Sequence, residues 1–335
     1  MEFLMMQHLS IYLLGPLCMG LVACSDTTAD TSSTSSQTQS SNTSTMTETG
    51  TTSTTTSTSV TTEFPDPTYG LSDQTIMHDK VQRQYKLYVP KSYDGSVRFP
   101  VVLNFHGFGG NSNEQMSSSD MRSLAENEDF ILIYPQGTLL DGYTHWNTYS
   151  PGGENKSEAD DFGFVEAMLD ELSLNYALDA GRVYATGYSN GGDFTYTLAC
   201  MLSDRVTGIA PVSGLLWYGT VDECDMKHPT AVVSFHGTAD DVRPYDDGYP
   251  GYLYGIEDST AFFNDLNGIT DSGTMTSLSG NTERYDYVGG DGEVTHRHYK
   301  VINGGHVWLN VNDDGFQTDE LIWEYLSQFD LAGLR

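Results

Sequence analysis

The stretch RVYATGYSNGGDFTYTLAC, residues 182–200, decides the fold. Arg182–Thr186 reads as a short buried strand, and a helical pattern runs on through Leu202. Between them lies the sharp turn Gly187-Tyr188-Ser189-Asn190-Gly191-Gly192, a G-x-S-x-G in the context of strand, turn and helix. Glycines there let the backbone pass close to the serine, and the tight turn exposes that serine above a sheet. The helix N-terminus adds a dipole that favours developing negative charge. Taken alone, the motif occurs by chance often enough to be a weak signal, with a glycine-rich structural turn as the alternative. Its context makes Ser189 a candidate nucleophile.

Working outward, Val81, Tyr85, Leu87 and Val89 share one face of a period-two segment, which predicts a strand over 81–89. Further short apolar runs predict strands at Val101–Phe105, Phe130–Tyr134, Val206–Val212 and Ala231–Phe235. Phe164, Val165, Met168, Leu169 and Leu172 form one helical face, and Leu321, Ile322, Tyr325, Leu326 and Phe329 form another. Strands alternating with helices imply an α/β fold with a mostly parallel sheet covered on both faces. Such sheets bind ligands at the carboxyl ends of their strands.

A serine hydroxyl is a poor nucleophile at neutral pH and needs a base that an acid orients. On this fold the chain order is serine, acid, histidine. Asp240 follows the strand at 231–235, with Asp241, Asp246 and Asp247 as competing acids. His306 follows a predicted strand over Thr295–Ile302 and precedes the last helix, the position expected of the base. His78, His106, His145, His228 and His236 come too early, and His296 and His298 lie inside the strand. For the oxyanion, Asn190 supplies one backbone N–H and the loop His106-Gly107-Phe108-Gly109-Gly110 the other. That second donor is assigned to Phe108, with Gly107 as the alternative, and His106 is assigned a structural hydrogen-bonding role.

Over about residues 80–330 the chain resembles the alpha/beta-hydrolase esterases of the poly(3-hydroxybutyrate) depolymerase type. This is the LpqC-like group within carbohydrate esterase family one, which includes feruloyl and acetylxylan esterases. The resemblance rests on HGFGG at 106–110, DDFGFVEAMLDEL at 160–172, the 182–200 stretch and IAPVSG at 209–214. It continues through HGTADDVRPY at 236–245 and GGHVW at 304–308. It implies Ser189, Asp240 and His306 as a triad, Cys200 paired with Cys224, and a cleft lined by the Trp146-Asn147 loop and Trp308. The tyrosine-rich segment Tyr245–Tyr254 departs from the pattern. It is read either as overhanging the cleft, with Tyr245 as a substrate contact, or as a surface loop tucked against the sheet.

The chain has 335 residues, with 15 Lys and Arg against 46 Asp and Glu, a formal net charge of −31. That balance excludes a binder that neutralises nucleic-acid phosphates and argues against docking on anionic lipid. Residues 9–24 read as the apolar region of a signal peptide. Leu21-Val22-Ala23-Cys24 resembles the lipobox of bacterial lipoproteins, which implies a lipid on Cys24. A basic residue before the apolar run is missing, and a simple secretory signal is the alternative. Residues 25–63 include 28 Ser or Thr, predicting a disordered linker that cannot offset its own ordering entropy. The catalytic domain is assigned to residues 64–335, which keep 41 acids and all 15 bases, a net of −26. With Cys18 and Cys24 assigned to the signal and the anchor, Cys200 and Cys224 form an even pair. One disulfide fits an oxidising compartment, with two free thiols as the alternative.

The expectation is therefore a secreted or surface-anchored serine esterase with no cofactor, acting on polysaccharide-linked feruloyl or acetyl esters or on hydroxybutyrate-type polyester oligomers. No catalytic metal is expected, because Asp160 and Asp161 suit a helix N-terminus. A peptidase on the same fold would usually carry an extra domain or long lid. A non-catalytic binding protein should have lost a member of the triad.

Overall fold

The computed structural model describes residues 64–148 and 156–335. The signal, the Cys24 lipobox and the linker over 25–63 lie outside the described residues. Ten strands form one sheet: β1 (Gly70–His78), β2 (Val81–Val89), β3 (Phe99–Phe105), β4 (Ile131–Pro135), β5 (Leu178–Tyr188), β6 (Gly208–Val212), β7 (Ala231–Gly237), β8 (Thr274–Ser277), β9 (Thr282–Tyr287) and β10 (His296–Val301). Their spatial order is β1-β2-β4-β3-β5-β6-β7-β10-β9-β8. The six central strands, β4 to β10, pair in parallel, and antiparallel strands flank them at both edges. This is the mostly parallel α/β sheet expected from the alternation of strand and helix patterns, and the alpha/beta-hydrolase architecture that the resemblance implies.

Among the described residues, seven helices accompany the sheet: α1 (Ser112–Ser118), α2 (Arg122–Glu128), α3 (Asp161–Asn175), α4 (Asn190–Met201), α5 (Tyr218–Glu223), α6 (Ile256–Leu266) and α7 (Thr318–Leu326). Because side chains alternate across a strand, neighbouring core residues split between two clusters. Val101, Leu103, Phe105, Val183 and Ala185 pack with Phe164, Met168 and Leu172 of α3 and Phe194 and Leu198 of α4. Val102, Leu132, Tyr184, Val233 and Phe235 pack on the other side with Ala125 of α2 and Leu321, Ile322 and Leu326 of α7. Burying one such Leu, Val or Phe side chain stabilises by about 1.5–3 kcal/mol. The two covered faces hold the carboxyl ends of β5, β7 and β10 in fixed register.

Two local readings are corrected. Val81 is exposed, and the buried face of β2 begins instead at Arg83. That guanidinium bonds Asp161 at 2.6 Å and lies 3.9 Å over the Phe164 ring. Burial raises the Asp161 carboxyl, and Arg83 and the Asn147 N–H oppose that shift. Phe329 does not extend α7; it lies in a two-residue strand, Phe329–Asp330. Strands β1, β8 and β9 carry no apolar periodicity, since β1 and β8 are the edge strands, β9 lies beside one, and their side chains are mostly exposed or half-exposed.

Candidate active site

Ser189 follows β5 directly and sits at φ 52°, ψ −119°, a conformation that L-residues rarely adopt. The strand's last residue and the helix's first leave no room for a gentler turn. A Cβ on Gly191 would lie 2.3 Å from the Phe105 carbonyl oxygen, and one on Gly187 would lie 2.6 Å from the Gly191 backbone. Only glycine fits that approach of α4 to β3 and β5. The Ser189 N–H donates to Val212 O at 3.0 Å, and its carbonyl accepts from the Asp193 N–H at 2.8 Å. The Asn190 side chain completes the elbow: its oxygen accepts from Trp146 N–H at 2.8 Å and its amide donates to Trp146 O at 3.1 Å.

The geometry brings Ser189, His306 and Asp240 together. His306 Nε2 lies 2.8 Å from Ser189 Oγ, and Nδ1 lies 2.8 Å from Asp240 Oδ2. Asp240 Oδ1 accepts the backbone N–H groups of Val242 (2.9 Å) and Arg243 (2.7 Å). Burial works against the charged carboxylate, but hydrogen bonds from His236, His306 and the Arg243 N–H outweigh it. Asp240 is therefore held well below the usual carboxylate range. It remains ionised and keeps the His306 proton on Nδ1, which frees Nε2 to accept from the serine. The competing acids Asp241, Asp246 and Asp247 are exposed.

Backbone bonds stitch the acid and base loops to each other. Ala239 N–H donates to Gly304 O (2.9 Å) and Thr238 N–H to Val301 O (2.9 Å). Tyr188 OH donates to the His306 carbonyl at 2.8 Å, so the strand that presents the serine also holds the base.

Asn190 opens α4, so its N–H has no acceptor within the helix. On the facing loop, Gly110 N–H bonds Gly107 O (3.0 Å) and Gly109 has φ +74°. A positive φ at the third position makes this a type II turn, which leaves the N–H of its second residue, Phe108, outside the turn's own bond. Gly109 N–H anchors the turn to Thr144 O at 2.7 Å.

Beneath that turn His106 plays the structural part read from the sequence. Its Nδ1 donates to Gly107 O (2.8 Å) and its Nε2 accepts the Gly137 N–H (3.0 Å), which requires the neutral ring. Burial pushes the imidazole down to about 4. The unfolded chain takes up this proton near pH 6.5, whereas the folded chain resists until about pH 4. Stability from this group is therefore full above pH 6.5 and is lost as pH falls toward 4. Thermal melts between pH 7.5 and 4.5 are expected to show that decline, with a shallower slope in His106→Gln. An equal slope in both proteins would refute the assignment.

Of the expected cleft-lining residues, Trp146 lies in the core, while Tyr245 and Trp308 are half-buried. Trp146 is 1% exposed: its indole N–H donates to His106 O at 2.9 Å, and its ring stacks on Phe194. Its position after the Thr138–His145 hairpin carries it under the oxyanion turn rather than into a cleft. Tyr245 gives its hydroxyl to a 2.8 Å contact with His298 Nε2 and packs beside Leu215, Leu253 and Ile256. Trp308 is half-buried against the cluster under α7. Burial pushes Asp319 up to about 6, against the bond from Ser119. The exposed rings are others. Phe108 (53% exposed) stacks on Tyr143 (57% exposed) with centroids 5.5 Å apart, directly on the oxyanion turn.

Two further features support the site. Arg243 reaches from the acid loop to Asp193, one helical turn beyond Ser189, with Nη2 at 2.8 Å and Nε at 3.2 Å from Oδ2. Sequence reading missed this pair because its members lie 50 residues apart. Cys200 at the end of α4 is bonded to Cys224 after α5, a separation of 24 residues. Opening that loop in a Cys200→Ser/Cys224→Ser variant is expected to cost about 3 kcal/mol by loop-closure entropy. Calorimetry should show it as a fall of roughly 5–10 °C in Tm.

No protein-family model matches the chain. Among curated proteins, it is 26% identical over 251 residues to a bifunctional acetylxylan esterase/xylanase of Neocallimastix patriciarum, covering 75% of this chain and 34% of that one. The chain thus spans about a third of that relative's length. It is 27% identical over 271 residues to a probable feruloyl esterase C of Aspergillus terreus, covering 77% and 90% of the two chains. Among solved structures, the acetyl xylan esterase of Aspergillus awamori superposes with a TM-score of 0.56 at 15% identity. That match covers 76% of this chain and 99% of the other. The fold is that of the alpha/beta-hydrolases, and in sequence the chain is similar to feruloyl and acetylxylan esterases.

Proposed function

We propose that the protein is an exported serine carboxylic ester hydrolase that removes acyl groups, feruloyl or acetyl, from polysaccharide. Residues 64–335 are its catalytic domain, and Ser189, His306 and Asp240 are its triad. The observation that carries this reading is the unbroken relay from Ser189 Oγ through His306 to Asp240, with both contacts at 2.8 Å. Feruloyl and acetylxylan esterases among the relatives support the substrate class, and the Cys200–Cys224 disulfide supports an oxidising compartment.

Ser189 Oγ attacks the ester carbonyl while His306 Nε2 takes its proton. The imidazolium is stabilised by ionised Asp240, and the tetrahedral oxyanion accepts the N–H groups of Asn190 and Phe108. Collapse expels the alcohol, the sugar side of the ester, which takes the proton from His306. Water activated by the same histidine then releases the acid and restores the serine. The net charge of −26 on residues 64–335 favours a neutral carrier polymer over a polyanion.

The test is hydrolysis of p-nitrophenyl acetate, methyl ferulate, acetylated xylo-oligosaccharide and hydroxybutyrate oligomers by the full chain. Cleavage of the ferulate or the acetylated oligosaccharide, with none by Ser189→Ala, is the expected result. Preference for hydroxybutyrate oligomers would move the substrate to polyesters. A folded protein inert on all four would end the esterase reading.

A further inference from the structure

The tyrosine-rich segment after the acid loop builds a pocket that the chemistry at Ser189 does not use. Trp217, Arg243, Tyr249, Tyr252 and Leu253 line a cavity of about 300 Å³. We propose that this pocket is a binding subsite for a neutral sugar ring of the glycan that carries the ester; its catalytic consequence rests on the esterase reading above.

The pocket is a built surface. Tyr249 and Leu253 exchange backbone hydrogen bonds at 2.9 Å in both directions, and Tyr252 N–H donates to Tyr249 O at 2.9 Å. Tyr218 N–H donates to Tyr252 O at 2.9 Å, pinning the segment to the start of α5. Leu253 is buried with Leu215 and Ile256, and Trp217 packs on that cluster. The rings of Tyr249 (42% exposed) and Tyr252 (53% exposed) therefore stand on a fixed base. A ligand meets them with little ordering left to offset.

Its chemistry suits a hydroxylated, uncharged ring. Aromatic faces pack the C–H face of a sugar, while phenol edges can meet its hydroxyls. The Trp217 indole N–H is buried without a hydrogen-bond partner among the described residues, so Trp217 offers the pocket its ring and not that edge. An anionic occupant would meet an acidic domain, and the one cation here, Arg243, is already neutralised by Asp193. The volume lies at the low end of ligand pockets, roughly 300–1,000 Å³, enough for a sugar unit and not for a long polymer stretch.

Position ties the pocket to the reaction. Arg243, one of its walls, donates its backbone N–H to Asp240 at 2.7 Å and its guanidinium to Asp193 of the serine's own helix. Arg243 thus belongs both to the pocket wall and to the loop that carries Asp240.

The test titrates xylotetraose and cellotetraose into the full-length Ser189→Ala protein, following Trp fluorescence and heat. Saturable binding of at least one sugar is expected, weakened about fivefold or more when Tyr252→Ala or Tyr249→Ala is added. In parallel, Tyr252→Ala in the active enzyme should lower kcat/KM on acetylated xylotetraose relative to p-nitrophenyl acetate by a similar factor. Absence of binding, or affinity unchanged in both tyrosine variants, would overturn the proposal. An equal loss on methyl ferulate would also overturn it, by giving the pocket to the acyl group. Sugar binding intact in a protein that cleaves no ester would uphold the subsite while removing the esterase reading.

Discussion

Replacing Ser189 by alanine is expected to lower kcat/KM on any cleaved ester by about 10⁴-fold or more, because the triad acts as a unit. The remaining N–H groups of Asn190 and Phe108 and the binding surface would still orient the ester but could form no acyl-enzyme. A companion variant separates catalysis from folding. Ser189 occupies φ 52°, where glycine is at ease and other residues store strain of order 1–3 kcal/mol. Ser189→Gly should therefore be as inactive as Ser189→Ala and more thermostable than the wild type by about 1 kcal/mol after the entropic cost of glycine. Active-site titration and calorimetry on the three proteins would check both statements. Residual activity within tenfold of wild type in Ser189→Ala would remove the nucleophile assignment.

Arg243→Met is expected to be the most damaging substitution outside the triad. It leaves the fully buried Asp193 carboxylate facing only the Leu215 N–H at 2.7 Å. Removing one partner of a buried ion pair costs about 3–5 kcal/mol. Urea unfolding should show that loss, and Arg243→Lys, which keeps the charge without the fork, should fall between. The double variant Arg243→Met/Asp193→Asn should recover most of the stability, since no unpaired charge remains. If it is no more stable than Arg243→Met, electrostatics is not the reason for the pair. A fall in kcat with little change in KM would show that the arginine also positions the acid loop, because its N–H holds Asp240.

The nucleophile turn was legible because everything that builds it lies within twenty residues: strand, glycines, serine, helix. The convergence of Asp240 and His306 on Ser189 was legible through chain order, which a parallel sheet converts into neighbouring loops. His106 was legible as a structural donor, though not the Gly137 N–H that makes it neutral, 31 residues away. The aromatic residues were another matter. Trp146 reads as a cleft wall in the sequence, yet it is buried and gives its indole N–H to the His106 carbonyl inside the fold. A tryptophan gains as much from burial in a core as in a cleft, and its sequence neighbours do not distinguish the two.

By itself, the sequence determined the class of fold, the strand–turn–helix elbow and the order of serine, acid and histidine. Those features follow from periodicity, glycine sterics and connectivity, all of which act over short stretches of chain. Only the tertiary structure decided which aromatic rings remain exposed and that Arg243 closes on Asp193. It alone assembled Trp217, Tyr249 and Tyr252 around one cavity. Such choices depend on contacts between segments tens of residues apart, where burial and hydrogen-bond satisfaction across the whole sheet set the outcome.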